Sequence, residues 1–390
     1  MLILALLTLL VWTGLILLHG RFWQGGPILS PATPASGTVW PPVSVVIPAR
    51  DEAESIGACL SSLLAQDYPG PFRIVLVDDN SSDGTGAIAR GLGSGRLSVL
   101  EGAARPAGWS GKLWAVAQGV AEARRLNPSG DGFFLLCDAD ITHHRAHLTT
   151  LVAKALRDGL DQVSEMVELN CQSTAERVLV PAFVFFFQLL YPFAQVNNPR
   201  SRVAAAAGGT VLIRASALDR IGGIESLRGA LIDDVTLATR VKRSGGAIWL
   251  GHSMLAKSIR PYPAPVDVWR MVARTAYVQL RFSPLLLAGT VLGMGLVWVA
   301  PLLTLLAGHG LARRLGGLAW LLSTGSFLPT LRRFRLSPAW ALLLPGIALF
   351  YTLATIGSAI DHHRGRGVVW KSRAYRDENG RDGEKDATAA

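Results

Sequence analysis

Three acidic clusters, Asp78-Asp79, Asp138-Ala139-Asp140 and Asp233-Asp234, follow one another along the chain, each at or near the end of an apolar run. The second is entered through Leu135-Leu136-Cys137. Strand side chains alternate with period two, so Asp138 and Asp140 are expected on one side, able to share one hard cation. Carboxylates held that close repel each other unless a cation or hydrogen-bond donors neutralise them. A divalent metal carrying a diphosphate accounts best for such a set.

The elements around the clusters predict how they are positioned. Val43-Ser44-Val45-Val46-Ile47-Pro48 is a β-branched run stopped by proline, and Leu60, Leu63 and Leu64 follow at helical spacing. Phe72 to Val77 reads as a strand ending at Asp78-Asp79. Asn80 to Thr85 is turn and cap chemistry before a helix from Thr85 to Arg90. Leu97 to Leu100, a helix from Lys112 to Arg125 and the strand Phe133 to Cys137 continue the alternation. This predicts an α/β domain with a mainly parallel sheet and ligands at the carboxyl ends of strands. Gln162 to Cys171 alternates like an exposed edge strand, and Gly208-Gly209-Thr210 opens a short strand.

Half of the residues are hydrophobic, unevenly spread. Met1 to Leu18 has no Lys or Arg, unlike a signal peptide's basic start, and is long enough to be an anchor. The expected organisation is an anchor (1–20), a Gly/Pro/Ser/Thr-rich linker (21–41) and a catalytic domain (42–263). A basic amphipathic interface helix (264–283), transmembrane segments (284–361) and a basic then polar tail (362–390) complete it. Three full crossings would put the basic tail outside. Either one segment is re-entrant or the tail is an exception to the positive-inside rule.

The net charge of +10 raises the question of nucleic acid. The basic residues instead flank apolar segments, as in Arg313-Arg314, Arg332-Arg333-Arg335 and Arg364 to Arg376. That pattern fits lipid headgroups, and no basic stripe interleaved with aromatics is evident, so no nucleic-acid partner is expected. Cys59, Cys137 and Cys171 form no disulfide framework and show no metal-ligand spacing, which suits a reducing compartment. His143, His144 and His147 read as a polar helix start rather than a zinc site, and Asp78-Asp79 alone would read as a helix cap. No strand–Gly-x-Gly-x-x-Gly–helix unit supports a nucleotide-cofactor dehydrogenase.

Taken together, Val45 to Glu52, Val77 to Thr85, Gly108-Trp109-Ser110-Gly111-Lys112, Asp138-Ala139-Asp140 and Ile232-Asp233-Asp234 resemble the ordered motifs of family 2 glycosyltransferases. The resemblance covers roughly residues 42–263. Within the family, Val180-Pro181-Ala182-Phe183, Phe187 to Phe193, Ala230 to Ala238 and Ser258 to Tyr262 are most similar to membrane enzymes associated with hopanoid biosynthesis.

The resemblance implies a GT-A fold and inverting transfer from a nucleotide sugar. It places Asp79 against a donor uracil, where an acceptor-only carboxylate suits a base N–H. Glu52 would take ribose or base contacts, and Lys112 the diphosphate. Asp138 and Asp140 would hold Mg²⁺ or Mn²⁺, with Asp140 the more direct ligand. Asp234 is the candidate general base, with Asp233 its neighbour at a position where many family members have Glu. Gly208, Gly209 and Thr210 would lie on the acceptor side. Arg270 and Arg274, four apart on one helical face, would reach the diphosphate or lipid headgroups. The Trp269 to Thr275 stretch lacks the Gln-x-x-Arg-Trp pattern of processive synthases, which implies one sugar per acceptor.

The expected partners are a nucleotide-sugar donor, a membrane lipid acceptor and a bacterial inner membrane, with the catalytic domain cytoplasmic. Transfer to polyprenyl phosphate and a non-catalytic nucleotide-sugar-binding scaffold are the alternatives.

Overall fold

The computed structural model describes residues 1–32, 37–127, 130, 132–364, 369–370 and 373–374. Part of the expected linker and most of the basic tail lie outside them. The chain divides into two compact units. One is an α/β unit built from Pro27–Leu169 and Val196–Arg260; the other is helical and takes Met1–Gly26, Asn170–Gln195 and the helices after Pro261.

The α/β unit is organised on a nine-stranded sheet: β1 (Ile28–Leu29), β2 (Val43–Ala49), β3 (Phe72–Asp78), β4 (Leu97–Glu101), β5 (Phe133–Cys137), β6 (Ile141–His143), β7 (Gln162–Glu168), β8 (Thr210–Arg214) and β9 (Ile248–Ser258). Its order is β1-β9-β7-β8-β5-β2-β3-β4, with β6 on β9. All neighbours along the order run parallel except β8, antiparallel to both β5 and β7. The reversal matters for the cleft. Register pairs Cys137 with Thr210, so the start of β8 lies beside the carboxyl end of β5.

Helices α1 (Ala53–Leu64), α2 (Thr85–Gly91), α3 (Gly111–Leu126), α4 (His147–Arg157), α5 (Ala215–Arg220) and α6 (Asp233–Arg243) belong to this unit. In α1, Ile56, Cys59, Leu60 and Leu63 are buried at three- and four-residue spacing, one apolar stripe of a helix covering a sheet. In α3, Gly119 is set by packing, because a Cβ there would sit 2.4 Å from Val46 Cγ1. Ser110 starts α3 by accepting from Leu113 N. Helix α6 carries acids in its first turn and Arg240, Lys242 and Arg243 in its last, both favourable to the helix dipole.

Strand β7 corrects one expectation. It is an interior strand between β8 and β9, buried along all but its last residue, not an exposed edge. Two of its polar residues find partners inside: Ser164 Oγ donates to Ala207 O and accepts from Ala207 N, and Glu165 Oε1 meets His147. At Ser164 and Glu165 the polar alternation follows internal hydrogen bonds, not water.

The helical unit has its own apolar core. Trp12, Phe185, Trp298 and Phe327 are buried there, with Trp12 and Trp298 rings 5.0 Å apart. Trp12 Nε1 donates to Val297 O and Thr8 Oγ1 to Leu296 O, fixing Leu2–Leu18 in this unit. Two helices, Pro284–Ala307 and Pro338–His363, are long and apolar enough to cross a membrane. Pro345 does not break the second. It stands in the first turn of Leu344–His363, where no N–H is missed. The segment between them is helix Gly310–Arg333, whose Ala319, Phe327 and Leu331 are buried.

Candidate functional site

The acidic clusters meet at the carboxyl end of the sheet. Strand β3 delivers Asp78 and then Asp79, whose backbone N donates to Ala49 O at the end of β2. The loops after β2 and β3 are stitched together. Asp51 N donates to Ser81 Oγ, Ser82 N to Asp51 Oδ1, Glu52 N to Thr85 Oγ1, and Ala53 N to Asp83 Oδ2. Asp51 and Asn80 both take left-handed backbone conformations, which these two residue types tolerate best after glycine. Asp83 therefore serves two helix starts, since it also accepts from Thr85 N. Asp79 is buried, and Arg50 Nη1 donates to its carbonyl at 2.5 Å while lying 3.9 Å from its carboxylate.

Asp138 and Asp140 are not strand residues. Strand β5 ends at Cys137, and Ala139 and Asp140 form a turn into β6, so the turn brings the carboxylates together and not the strand's alternation. Asp138 N donates to Gly209 O, tying the turn to the start of β8. Lys112, at the start of α3, lies 2.9 Å from Asp138 Oδ1 and 3.4 Å from Asp233 Oδ2. A lysine beside the positive end of a helix is costly alone, and the two carboxylates offset that. They hold its ammonium well above the ordinary lysine pKa despite the opposing effect of burial.

Asp140, largely buried, receives Arg260 Nε at 2.7 Å, and the same guanidinium reaches Glu52 Oε1 at 2.6 Å. Arg260, just beyond β9, was not among the expected site residues. The only sequence signal was its place in the Ser258 to Tyr262 resemblance. Its partners are 120 and 208 residues away in the chain, beyond the reach of local pattern.

Asp233 and Asp234 open α6. Asp234 Oδ1 accepts from Val235 N. Burial and the neighbouring Asp233 push the Asp234 carboxyl up to about 7, against the pull of Lys112. Gly208 is fitted to it, because a Cβ at Gly208 would lie 3.1 Å from Asp234 Oδ2. Gly209 faces apolar atoms of Val167 and Ile141 instead. Thr210 departs from the acceptor-side expectation: it is fully buried and its hydroxyl donates to Glu165 Oε1 in the interior. Arg270 and Arg274 are exposed residues of the helical unit, in and just after helix Pro265–Ala273.

Lys112, Asp138, Gly208, Asp233 and Asp234 line one cleft, open to solvent, with Pro48, Leu113 and Leu237 among its apolar walls. Its donor set fits a hard divalent cation. Within the cleft Asp138, Asp233 and Asp234 supply carboxylate oxygens against Lys112, and at the adjoining turn Asp140 shares Arg260 with Glu52. Asp138 records the surplus: burial raises it, Lys112 lowers it, Asp140 and Asp233 raise it again, and the net shift is upward.

The histidines after the turn also depart from expectation. His143 and His147 are buried and bonded to each other, and His144 alone of the three is exposed.

Residues 44–222 match the profile of Glycosyl transferase family 2. That stretch contains Glu52, Asp79, Lys112, Asp138, Asp140 and Gly208, while Asp233, Asp234 and Arg260 lie beyond it. The chain is 31% identical over 145 residues to Glycosyltransferase AglE of Haloferax volcanii, covering 35% of this chain and 44% of that protein. It is 28% identical over 253 residues to Probable glycosyltransferase YdaM of Bacillus subtilis, covering 62% and 57%. The chain thus spans about half the length of these curated relatives. Among solved structures, the mannosyltransferase PcManGT from Pyrobaculum calidifontis, in complex with GDP-Man and Mn²⁺, shares the fold. Its TM-score is 0.52 at 18% identity, over 92% of this chain and 98% of that one. The parallel strands and the turn that carry most of the acidic cleft lie within the residues that match Glycosyl transferase family 2, and they have the GT-A α/β fold.

Proposed function

We propose that this protein transfers a single sugar from a nucleotide sugar, a UDP-sugar by the Asp79 reading, to a hydroxyl of a membrane lipid, with inversion at the anomeric carbon. The observation that carries the proposal is Asp234: a carboxylate raised to about 7, at the wall of an acidic cleft, with Gly208 leaving room beside it.

Asp234 acts as general base, taking the proton of the acceptor hydroxyl as that oxygen attacks the anomeric carbon. A pKa near neutrality suits the task, since the group is ionised at working pH yet basic enough to hold the proton. No enzyme nucleophile is needed for one inverting displacement. Asp79 accepts from the base N–H, Glu52 contacts the ribose, and Lys112 turns from Asp138 and Asp233 toward the diphosphate. Asp138 and Asp140 are the residues that would hold Mg²⁺ or Mn²⁺, which supplies Lewis-acid neutralisation of the departing diphosphate. Arg270 and Arg274, exposed on the helical unit, serve the lipid headgroups.

The lipid acceptor is supported by the helical unit, where Leu285, Leu292 and Leu306 of the first long apolar helix are 81%, 74% and 71% exposed. Exposed leucine on that scale is matched to lipid rather than water. We place the enzyme in the bacterial inner membrane, held by Pro284–Ala307, Pro338–His363 and the N-terminal helix, with the catalytic unit cytoplasmic and a role in hopanoid metabolism.

The test uses the full chain in detergent with Mg²⁺ or Mn²⁺, a panel of labelled UDP-sugars and total bacterial lipid, comparing wild type with Asp234→Asn. The expected result is label in one lipid band, lost in the variant and in chelator. Label retained by Asp234→Asn would overturn the base assignment in favour of a phosphate acceptor. Donor binding without product across the panel, repeated with GDP-sugars, would overturn the transferase reading.

A further inference from the structure

Behind the acidic turn, the same strand end carries ligands of a different chemistry. Cys137 immediately precedes Asp138, and its thiol faces the interior together with Cys59 of α1 and His143 of β6; all three are buried. Cys59 Sγ, Cys137 Sγ and a ring nitrogen of His143 lie within 4.8 Å of one another. His143 Nε2 is 3.2 Å from Cys137 Sγ. The Asp138 carbonyl oxygen is a fourth donor, 3.2 Å from Cys137 Sγ and 3.8 Å from Cys59 Sγ. A tetrahedral ion with metal–sulfur bonds of ~2.3 Å and metal–nitrogen or –oxygen bonds of ~2.1 Å has mixed edges of about 3.6 Å. The observed edges bracket that length.

The imidazole is prepared for the role by its neighbours. His143 Nδ1 lies 2.9 Å from His147 Nδ1, and His147 Nε2 lies 2.5 Å from Glu165 Oε1. Two Nδ1 atoms in contact cannot both donate. Glu165 Oε1 also accepts from the Thr210 hydroxyl. It accepts from His147 Nε2–H, which leaves His147 Nδ1 as acceptor of His143 Nδ1–H. His143 Nε2 then carries a lone pair, directed toward the thiols. A carboxylate fixing a ligand histidine through its far nitrogen is the usual outer support of a metal site.

We propose that Cys59, Cys137 and His143, with the Asp138 carbonyl oxygen, hold one Zn²⁺ ion behind the acidic turn. Binding releases the two thiol protons, and two thiolates cancel the charge of the dication, so no net charge is buried. Thiolate and imidazole select zinc, whereas the carboxylates in front of the turn suit Mg²⁺ or Mn²⁺, so the two sites do not compete. The ion ties α1, the end of β5 and β6 together at the turn carrying Asp138 and Asp140. This site stands whether or not the cleft transfers a sugar.

The full chain is purified in detergent with reductant, dialysed against metal-free buffer and assayed for zinc by elemental analysis. The expected content is about one zinc per chain, falling below about a tenth in Cys59→Ser and in Cys137→Ser. It is retained in Asp140→Asn, which touches only the carboxylate site. Glu165→Gln weakens zinc binding by about tenfold or more. Wild-type protein stripped and refilled with Co²⁺ shows thiolate-to-cobalt charge-transfer absorption, displaced by added zinc; this reading stands even if the cysteine variants fail to fold. Folded wild type with neither zinc nor a cobalt–thiolate band would overturn the site, as would zinc retained by the Cys59→Ser/Cys137→Ser double variant.

Discussion

Arg260 Nε lies 2.7 Å from Asp140 Oδ2, so the carboxylate named by resemblance as the more direct metal ligand is already engaged by a cation of the chain itself. The same guanidinium is bonded to Glu52. The interaction holds it well above the usual arginine pKa, against the effect of burial. A metal entering at Asp140 must therefore compete with Arg260.

Arg260→Ala is expected to tighten Mn²⁺ binding about three- to tenfold, because a competing positive charge is removed. The same variant loses about 1–2 kcal/mol of stability, discounted from a fully buried pair because the guanidinium is partly solvated. Mn²⁺ titration followed by electron paramagnetic resonance, together with chemical denaturation, measures both. Weaker Mn²⁺ binding in Arg260→Ala would show that the arginine helps assemble the site rather than compete for it.

Asp234→Asn is expected to lower the rate of transfer about 10²–10⁴-fold while leaving donor affinity within a few-fold of wild type. In wild type, kcat/KM for the acceptor falls about tenfold per pH unit below about 7 and levels off above it, because the base must be ionised. The stability effect has the opposite sense. A carboxyl raised from 3.8 to about 7 on folding binds a proton more tightly in the folded state. Its contribution is present at low pH and lost as pH rises across that window. Asp234→Asn should therefore melt higher than wild type at neutral pH. A pH profile unchanged in the variant would remove Asp234 from the proton-transfer step.

Gly208→Ala tests the fit beside that carboxylate. Its backbone is not left-handed, so alanine is tolerated by the chain, but the added methyl would stand 3.1 Å from Asp234 Oδ2. A displacement below an ångström at a reacting group costs up to about 10²-fold. The expected result is a drop in kcat of about tenfold or more, with donor binding and melting temperature nearly unchanged. Equal loss of donor binding would place Gly208 on the donor side.

In the helical unit, Trp12→Ala removes a fully buried ring packed on Trp298, and the hydrogen bond to Val297 O. A loss of about 3 kcal/mol is expected from the cavity. Unfolding of the detergent-solubilised protein, monitored by tryptophan fluorescence, measures it. No change would mean that the N-terminal helix does not contribute to the stability of this unit.

The amino-acid sequence by itself determined the alternation of strand and helix and the acidic residues at strand ends. Both are local: β-branched runs such as Val43 to Ile47 stop at proline, and the apolar runs that lead to Asp78-Asp79 and Asp138 give way to carboxylates where the strands end. It also determined the apolar helices, which are matters of composition and length. Only the tertiary structure decided that β8 runs backwards between β5 and β7, because strand order depends on which hydrogen-bonding edges meet and not on any one segment. That reversal brings Gly208 to Asp234 and buries the polar alternation of β7, which alone resembles an edge. Only the tertiary structure joined Arg260 to Glu52 and Asp140, and His143 to Cys59 and Cys137. Electrostatic and metal-ligand partners are selected by distance in space, and residues far apart in sequence carry no periodic signal of the contact they will make.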